Sequence, residues 1–65
     1  MCVLVNGQRH YLPEPPTLAG LLQALRPPTP FAVARNGEFV PRDTYEDCRI
    51  DRGDRIEIVH PTAGG

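Results

Sequence analysis

The sequence lacks lysine and tryptophan, has only two cysteines and contains no long apolar run. All seven basic residues are arginines, so the chain offers no side-chain amine that another copy of the protein could acylate. No stretch approaches the ~20 apolar residues that span a bilayer, and the apolar start of the chain is too short for the core of a signal peptide. We therefore expect a soluble, cytoplasmic protein without a membrane partner.

Low cysteine content and a balanced charge narrow the function further. Cys2 and Cys48 are too few and too far apart in the sequence to suggest a metal cluster, and both are expected to be reduced and half-buried. A net charge of −1 gives no attraction toward nucleic acid. A chain of 65 residues has little apolar surface to spare for a deep pocket. We expect a binding module, carrier or subunit with no bound metal or cofactor, and not an enzyme.

The order of predicted elements favours an α+β fold, in which a mixed sheet of four to five strands packs on one main helix. Two short strand pairs are joined by Asn6-Gly7 and Asn36-Gly37, a dipeptide that favours the positive φ of hairpin turns. Thr17 is a candidate N-cap for a helix of roughly ten residues, whose leucines at 18, 21, 22 and 25 form one stripe. A last strand, Arg55–Val59, alternates and is expected to lie beside the first.

The segment after the last strand differs from the body of the chain. Residues 1–60 are predicted to form one domain, and residues 61–65 a flexible tail that ends in Gly64-Gly65. Without a Cβ, these glycines can enter a channel too narrow for side chains. Five extended residues reach about 17 Å, which is enough to cross the wall of a partner's active site. The reactive group of such a tail is the α-carboxylate of Gly65, which adenylation by ATP would turn into an acylating group.

Two segments carry a family resemblance. Val-Ala-Arg-Asn-Gly-Glu-Phe-Val-Pro-Arg at 33–42, and Gly-Asp-Arg-Ile-Glu-Ile-Val at 53–59 running into Ala63-Gly64-Gly65, resemble the ThiS family, the sulfur carriers of thiamine biosynthesis. The opening hairpin and the leucine helix fit as well, so the resemblance covers essentially the whole chain. It departs from the family in the proline-rich connector at 27–30, which is stiffer than usual. The resemblance implies a ubiquitin-like β-grasp fold.

The resemblance also implies a reaction sequence in which the protein is a co-substrate. An E1-like adenylating enzyme would consume ATP to activate Gly65, and a donor system such as a cysteine desulfurase would supply sulfur for a thiocarboxylate. Thiazole synthase would then take the sulfur. Gly64, Ala63 and Thr62 would thread into the partner's active site. Apolar side chains on the open side of the sheet would suit a docking surface, for which the candidates are Leu4, Phe39 and Val59.

Three other hypotheses fit parts of the sequence. The small subunit of molybdopterin synthase shares the fold and terminal chemistry, and often carries a proline where this chain has Pro61. The hairpin at 36–42 and the short length favour a sulfur carrier of the thiamine pathway over that subunit. A ubiquitin-like modifier would form lysine-linked conjugates, and an inert β-grasp interaction module would tolerate a residue added after Gly65.

The remaining polar residues are expected to be structural. His10 and His60 have no suitably spaced partner for a catalytic or metal role. The acidic residues at 43, 46, 47 and 51 are expected to form a solvated surface, paired locally with neighbouring arginines.

Overall fold

The computed structural model of the chain describes residues 1–12, 14 and 16–61. Its elements in chain order are β1 (Cys2–Val5), β2 (Gln8–Tyr11), α1 (Leu18–Leu25), β3 (Ala32–Arg35), β4 (Glu38–Val40), a 3₁₀ turn (Arg42–Thr44) and β5 (Arg55–Val59). The strands form one five-stranded sheet in the order β2-β1-β5-β3-β4. Strands β1 and β5 are parallel, and the other neighbours are antiparallel. The predicted α+β architecture, with the first and last strands side by side, is confirmed.

Both predicted hairpins turn at an Asn-Gly pair. Asn6 and Gly7 have φ values of 50° and 81°, and Asn36 and Gly37 have 51° and 86°. These values lie in the left-handed region, which glycine enters without steric cost and asparagine enters more readily than most residues. The local sequence therefore explains where the chain reverses between β1 and β2 and between β3 and β4.

Helix α1 begins and ends for identifiable reasons. The side-chain oxygen of Thr17 accepts a hydrogen bond from the Gly20 N–H at 3.1 Å, which confirms Thr17 as the N-cap. The helix ends at Leu25 after eight residues, earlier than expected. Arg26 precedes a proline, which disfavours the right-handed α region, and it adopts φ 49° while its N–H bonds the Leu22 carbonyl at 2.7 Å.

The core lies between α1 and one face of the sheet. Its buried apolar residues are Val3, Val5, Leu12, Leu18, Leu21, Leu22, Val33, Val40, Ile50, Ile56 and Ile58. Tyr45 is half-buried and packs against this core. The segment near Cys48 runs beside the start of α1, because its carbonyl accepts the Leu18 N–H at 2.8 Å. Across residues 1–12, 14 and 16–61, no helix has the length and apolar character that a bilayer crossing requires.

Strand residues that alternate with the core residues form the opposite side of the sheet, which we call the open face. By register and burial it carries Cys2, Leu4, Arg9, Tyr11, Ala32, Ala34, Phe39, Arg55, Glu57 and Val59. Cys2 is exposed because it lies here, so the expectation that it is half-buried is wrong, whereas Cys48 is half-buried as expected. The connector from α1 to β3 contains a cis peptide bond between Thr29 and Pro30.

Candidate functional site

The strand that leads toward the tail lies inside the sheet. β5 is bordered by β1 and β3, and its last residue, Val59, pairs with Ala32. The next residue, His60, contacts Phe31 edge to face, with ring centroids 6.4 Å apart. The tail therefore starts from a strand that is bonded on both sides. The predicted reactive residues, Thr62, Ala63, Gly64 and Gly65, lie outside the described residues.

Asn6 ties the end of β5 to β1. Its main-chain N–H donates to the Ile56 carbonyl at 2.9 Å, which continues the parallel ladder. The next acceptor in that ladder would be the main-chain carbonyl of Asn6, but the chain turns away at φ 50°. The Asn6 side chain takes over this position: Oδ1 accepts the Ile58 N–H at 2.9 Å, and Nδ2 donates to the Ile58 carbonyl at 3.3 Å.

Asn36 makes the equivalent contact at the start of β5. Its main-chain N–H donates to the Arg55 carbonyl at 2.8 Å, and its Oδ1 accepts the Arg55 N–H at 2.9 Å. Its Nδ2 donates to Asp54 Oδ1 at 3.0 Å. The other oxygen of Asp54 accepts from Arg35 Nε and from the Asp51 N–H, both at 2.8 Å. Sequence reasoning identified the two turns but not these side-chain bonds.

The hydrogen bonds keep Asp54 ionised although it is buried. Burial raises the pKa of this carboxyl, but the Asp51 N–H, the Asn36 amide and Arg35 together outweigh that effect, so its pKa lies below the ordinary value. The hydrogen bond to Asp54 also raises the pKa of Arg35. Arg35 forms a second ion pair with Asp51 at 3.2 Å, so the expected pairing of Asp51 with nearby arginines is replaced by a contact from β3.

The docking candidates all lie on the open face, but not as one patch. Leu4 pairs with Arg9 and Arg55, so arginines flank it on both sides. Val59 lies four residues beyond Arg55 on β5, about 13 Å along a strand. Phe39 lies two strands from β5, next to Ala34. The structure therefore places Phe39 and Val59 on one side of Arg55 and Glu57, and Leu4 on the other.

Sequence reasoning missed two features of this region. Tyr11 is 73% exposed and lies across from Cys2, on the Leu4 side of the open face; its alternation with Arg9 was the signal that could have placed it there. A groove of ≈ 480 Å³ adjoins Phe39, which is itself 69% exposed, near the start of the tail. The groove is lined by Thr29, Pro30, Phe31, Ala32, Phe39, Arg42 and Tyr45.

Histidine positions do not suggest a catalytic or metal centre. His10 pairs with Val3 at the edge strand β2, and His60 makes the ring contact described above. Within the part of the chain that the structure describes, no three His, Cys, Asp or Glu side chains are grouped as metal ligands would be.

Comparisons with known proteins identify relatives of the chain as a whole. The sequence matches the ThiS family over residues 3–65, which confirms the resemblance noted above. It is 39% identical over 66 aligned residues to a thiazole synthase from Magnetococcus marinus. This alignment covers 100% of this chain but only 20% of that longer protein. The fold matches the crystal structure of the thiamine biosynthesis protein ThiS from Geobacter metallireducens with a TM-score of 0.82 and 26% identity, over 100% of both chains.

Proposed function

The chain belongs to the ThiS family, and on that premise we propose that it is a sulfur carrier for thiazole formation in thiamine biosynthesis. The observation that carries the proposal is that the family match runs to residue 65 and so includes Gly64 and Gly65. The similarity to the Geobacter protein named for thiamine biosynthesis supports the same pathway. The family match and this structural similarity together favour the thiamine pathway over the molybdenum-cofactor pathway.

The proposed chemistry takes place at the carboxylate of Gly65. A carboxylate has a poor leaving group, so an E1-like enzyme first transfers AMP from ATP to one carboxylate oxygen and releases pyrophosphate. A sulfur nucleophile from a donor system such as a cysteine desulfurase then attacks the acyl carbon. AMP leaves with that oxygen. Sulfide as the nucleophile leaves a thiocarboxylate directly. The terminal sulfur of a desulfurase persulfide leaves an acyl disulfide, and a thiol then reduces its S–S bond to give the thiocarboxylate. The chain supplies the acyl group and its partners supply the catalysis.

The folded domain contributes by presenting this end. Strand β5 is held by hydrogen bonds from β1 and β3, so the tail starts from an ordered position. Gly64 keeps the last residues narrow, and Ala63 and Thr62 are small enough to follow it into a partner's channel. We place the docking of the activating enzyme on the Phe39 and Val59 side of the open face, because Val59 is the last strand residue before the tail. Leu4 is a second, separate contact.

Thiazole synthase is the proposed recipient of the sulfur. A segment similar to this whole chain occurs within the longer Magnetococcus protein that bears this name. A carrier domain and the protein that consumes its sulfur have to meet in every turnover. The similarity therefore supports thiazole synthase as a partner of this chain as well.

The proposal is tested by a variant with one alanine added after Gly65. With an E1-like enzyme of the thiamine pathway and ATP, the unextended protein is expected to support release of pyrophosphate, and the extended protein is not. Far-ultraviolet circular dichroism should be the same for both. Equal release of pyrophosphate with both proteins would contradict the proposal, because the activated group would not be the carboxylate of Gly65. Release with neither protein would also contradict it and favour an inert interaction module. Lysine-linked conjugates of the chain in cell extracts would favour a ubiquitin-like modifier instead.

A further inference from the structure

The main-chain N–H and C=O of Ile58 are both hydrogen-bonded by one side chain, the amide of Asn6. The main-chain N–H and C=O of Arg55 bond to Asn36, on the β3 side of β5. Successive residues of a strand direct these groups to opposite sides, so those of Ile56 and Ile58 point toward β1. β1 ends at Val5, and the last main-chain bond on this side is from Asn6 to the Ile56 carbonyl. Beyond it, Ile58 is bonded on the β1 side by the Asn6 amide.

We propose that Asn6 is a positioning residue for the tail: its side-chain amide fixes Ile58, and thereby sets the point at which the chain leaves the sheet toward Gly65. The inference rests on the proposed function, because it assigns a part in presenting the reactive end. Val59 is the last strand residue and follows Ile58 directly. If Ile58 is released on the β1 side, the base of the tail is held by β3 alone.

Asparagine is suited to this position for two reasons. Its amide carries an acceptor and a donor, which match the N–H and C=O of Ile58. Aspartate would keep the acceptor but would place a second oxygen against the Ile58 carbonyl. Asparagine also tolerates the φ of 50° that the hairpin requires, which most other residues do not. Glycine satisfies the turn but has no amide, so Asn6→Gly removes the bonds to Ile58 while keeping the hairpin.

Asn36 provides a matched control within the same fold. It occupies the equivalent position of the second Asn-Gly turn, with φ 51°, and its Oδ1 bonds the N–H of Arg55 at the opposite end of β5. Asn36→Gly also removes two side-chain hydrogen bonds, one with the Arg55 N–H and one with the Asp54 carboxylate, without altering the end of the strand that leads to the tail. A purely structural role for Asn6 would therefore make Asn6→Gly no more damaging to activity than Asn36→Gly.

The first test is amide hydrogen exchange of the folded protein, read residue by residue by NMR. Loss of one hydrogen bond changes a local opening equilibrium by roughly tenfold. In Asn6→Gly we expect the amide of Ile58 to exchange about ten times faster relative to that of Val33, and in Asn36→Gly we expect the Arg55 amide to respond instead. Unchanged exchange at Ile58 in Asn6→Gly would overturn the inference.

The second test is the rate of Gly65 adenylation by the E1-like enzyme. Docking through the open face is intact in both variants, so KM is expected to change less than about twofold. The kcat of Asn6→Gly is expected to fall about tenfold, because fewer docked molecules present the tail correctly, and Asn6→Asp to fall less. Asn36→Gly is expected to retain the original kcat.

Equal kcat losses in Asn6→Gly and Asn36→Gly, or none in Asn6→Gly, would overturn the inference. Failure of the original protein to be adenylated would contradict the proposed function instead, and the exchange rates would still decide the role of Asn6.

Discussion

Asp54 is the one charged residue in the described part of the chain that is buried, with 8% of its surface exposed. It joins two segments that are distant in sequence. Arg35 and Asn36, at the end of β3 and in the turn that follows, donate to it from one segment, and the Asp51 N–H donates to it within the loop before β5. An ionised carboxylate with this many donors stabilises the fold, because each donor offsets part of the cost of burial.

We predict that Asp54→Asn lowers the free energy of unfolding by about 2 kcal/mol at neutral pH, since a charge-assisted acceptor is lost. The pKa of Asp54 is lowered by folding, so its contribution is present above the unfolded pKa of about 3.9 and is lost as pH falls through the folded value. The stability difference between the two proteins should therefore narrow below about pH 4. Urea denaturation of both proteins at a series of pH values measures this difference in the free energy of unfolding.

The matched control for this prediction is Asp47→Asn. Asp47 is exposed, so its replacement should change the free energy of unfolding by less than about 0.5 kcal/mol. A difference between the original protein and Asp54→Asn that stays constant from pH 7 to pH 3 would contradict the account of this carboxylate.

At this scale the sequence predicts backbone features better than side-chain partners. The Asn-Gly turns and the Thr17 cap follow from local conformational preference. The bonds from Asn6 to Ile58 join residues that are 52 positions apart, and those from Asn36 to Asp54 join residues 18 apart. They depend on which strands become neighbours, which no local pattern specifies.

Among the elements, α1 has the closest link between sequence pattern and packing. Three of its leucines, Leu18, Leu21 and Leu22, are buried against the sheet. A helix of eight residues is too short to be stable alone, so this stripe provides its stability through packing. The helix in turn covers Val3 and Ile56 in the central strands, which belong to the same core.

We predict that Leu21→Ala lowers the free energy of unfolding by about 3 kcal/mol, because it leaves a cavity in a core where Leu21 is 1% exposed. Gln23→Ala, at an exposed position of the same helix, should change it by less than about 0.5 kcal/mol. Thermal or urea denaturation of the two variants gives the comparison. A loss at Leu21 no larger than that at Gln23 would contradict the account, because it would show that the packing of α1 contributes little.

Element order and strand pairing were predictable, whereas element ends and the open face were less so. The pattern Arg55–Val59 identified β5, and the two hairpins left it to pair at the centre of the sheet. The early end of α1 depends on Arg26 adopting the left-handed region, which the proline pair permits but does not demand. The separation of Leu4 from Phe39 follows from the order of five strands, so composition alone could not reveal it.

On the scale of the whole molecule, the open face has two apolar regions separated by Arg55 and Glu57. We predict that Phe39→Ala raises the KM for the activating enzyme about tenfold, corresponding to about 1.4 kcal/mol of lost docking free energy. The reason is that Phe39 is exposed and adjoins the groove that also contains Phe31, the residue whose ring contacts His60 just after β5. Steady-state kinetics of adenylation measures the change.

Tyr11→Ala is the control for the docking prediction. Tyr11 is 73% exposed, which is comparable with Phe39, but it lies in β2, the strand at the other edge of the sheet. Its replacement should leave KM within about twofold of the original value. A larger effect at Tyr11 than at Phe39 would place the docking site on the Leu4 side of the open face.

The central claim is that Gly65 carries the sulfur, and intact-protein mass spectrometry tests it most directly. The protein is incubated with ATP, a sulfur donor and the E1-like enzyme of the thiamine pathway, and is then fragmented to locate any change. We expect a mass gain that corresponds to replacement of one oxygen by sulfur, confined to the fragment that contains Gly65. An unmodified mass under conditions in which the same enzyme thiolates an established ThiS protein would contradict the account.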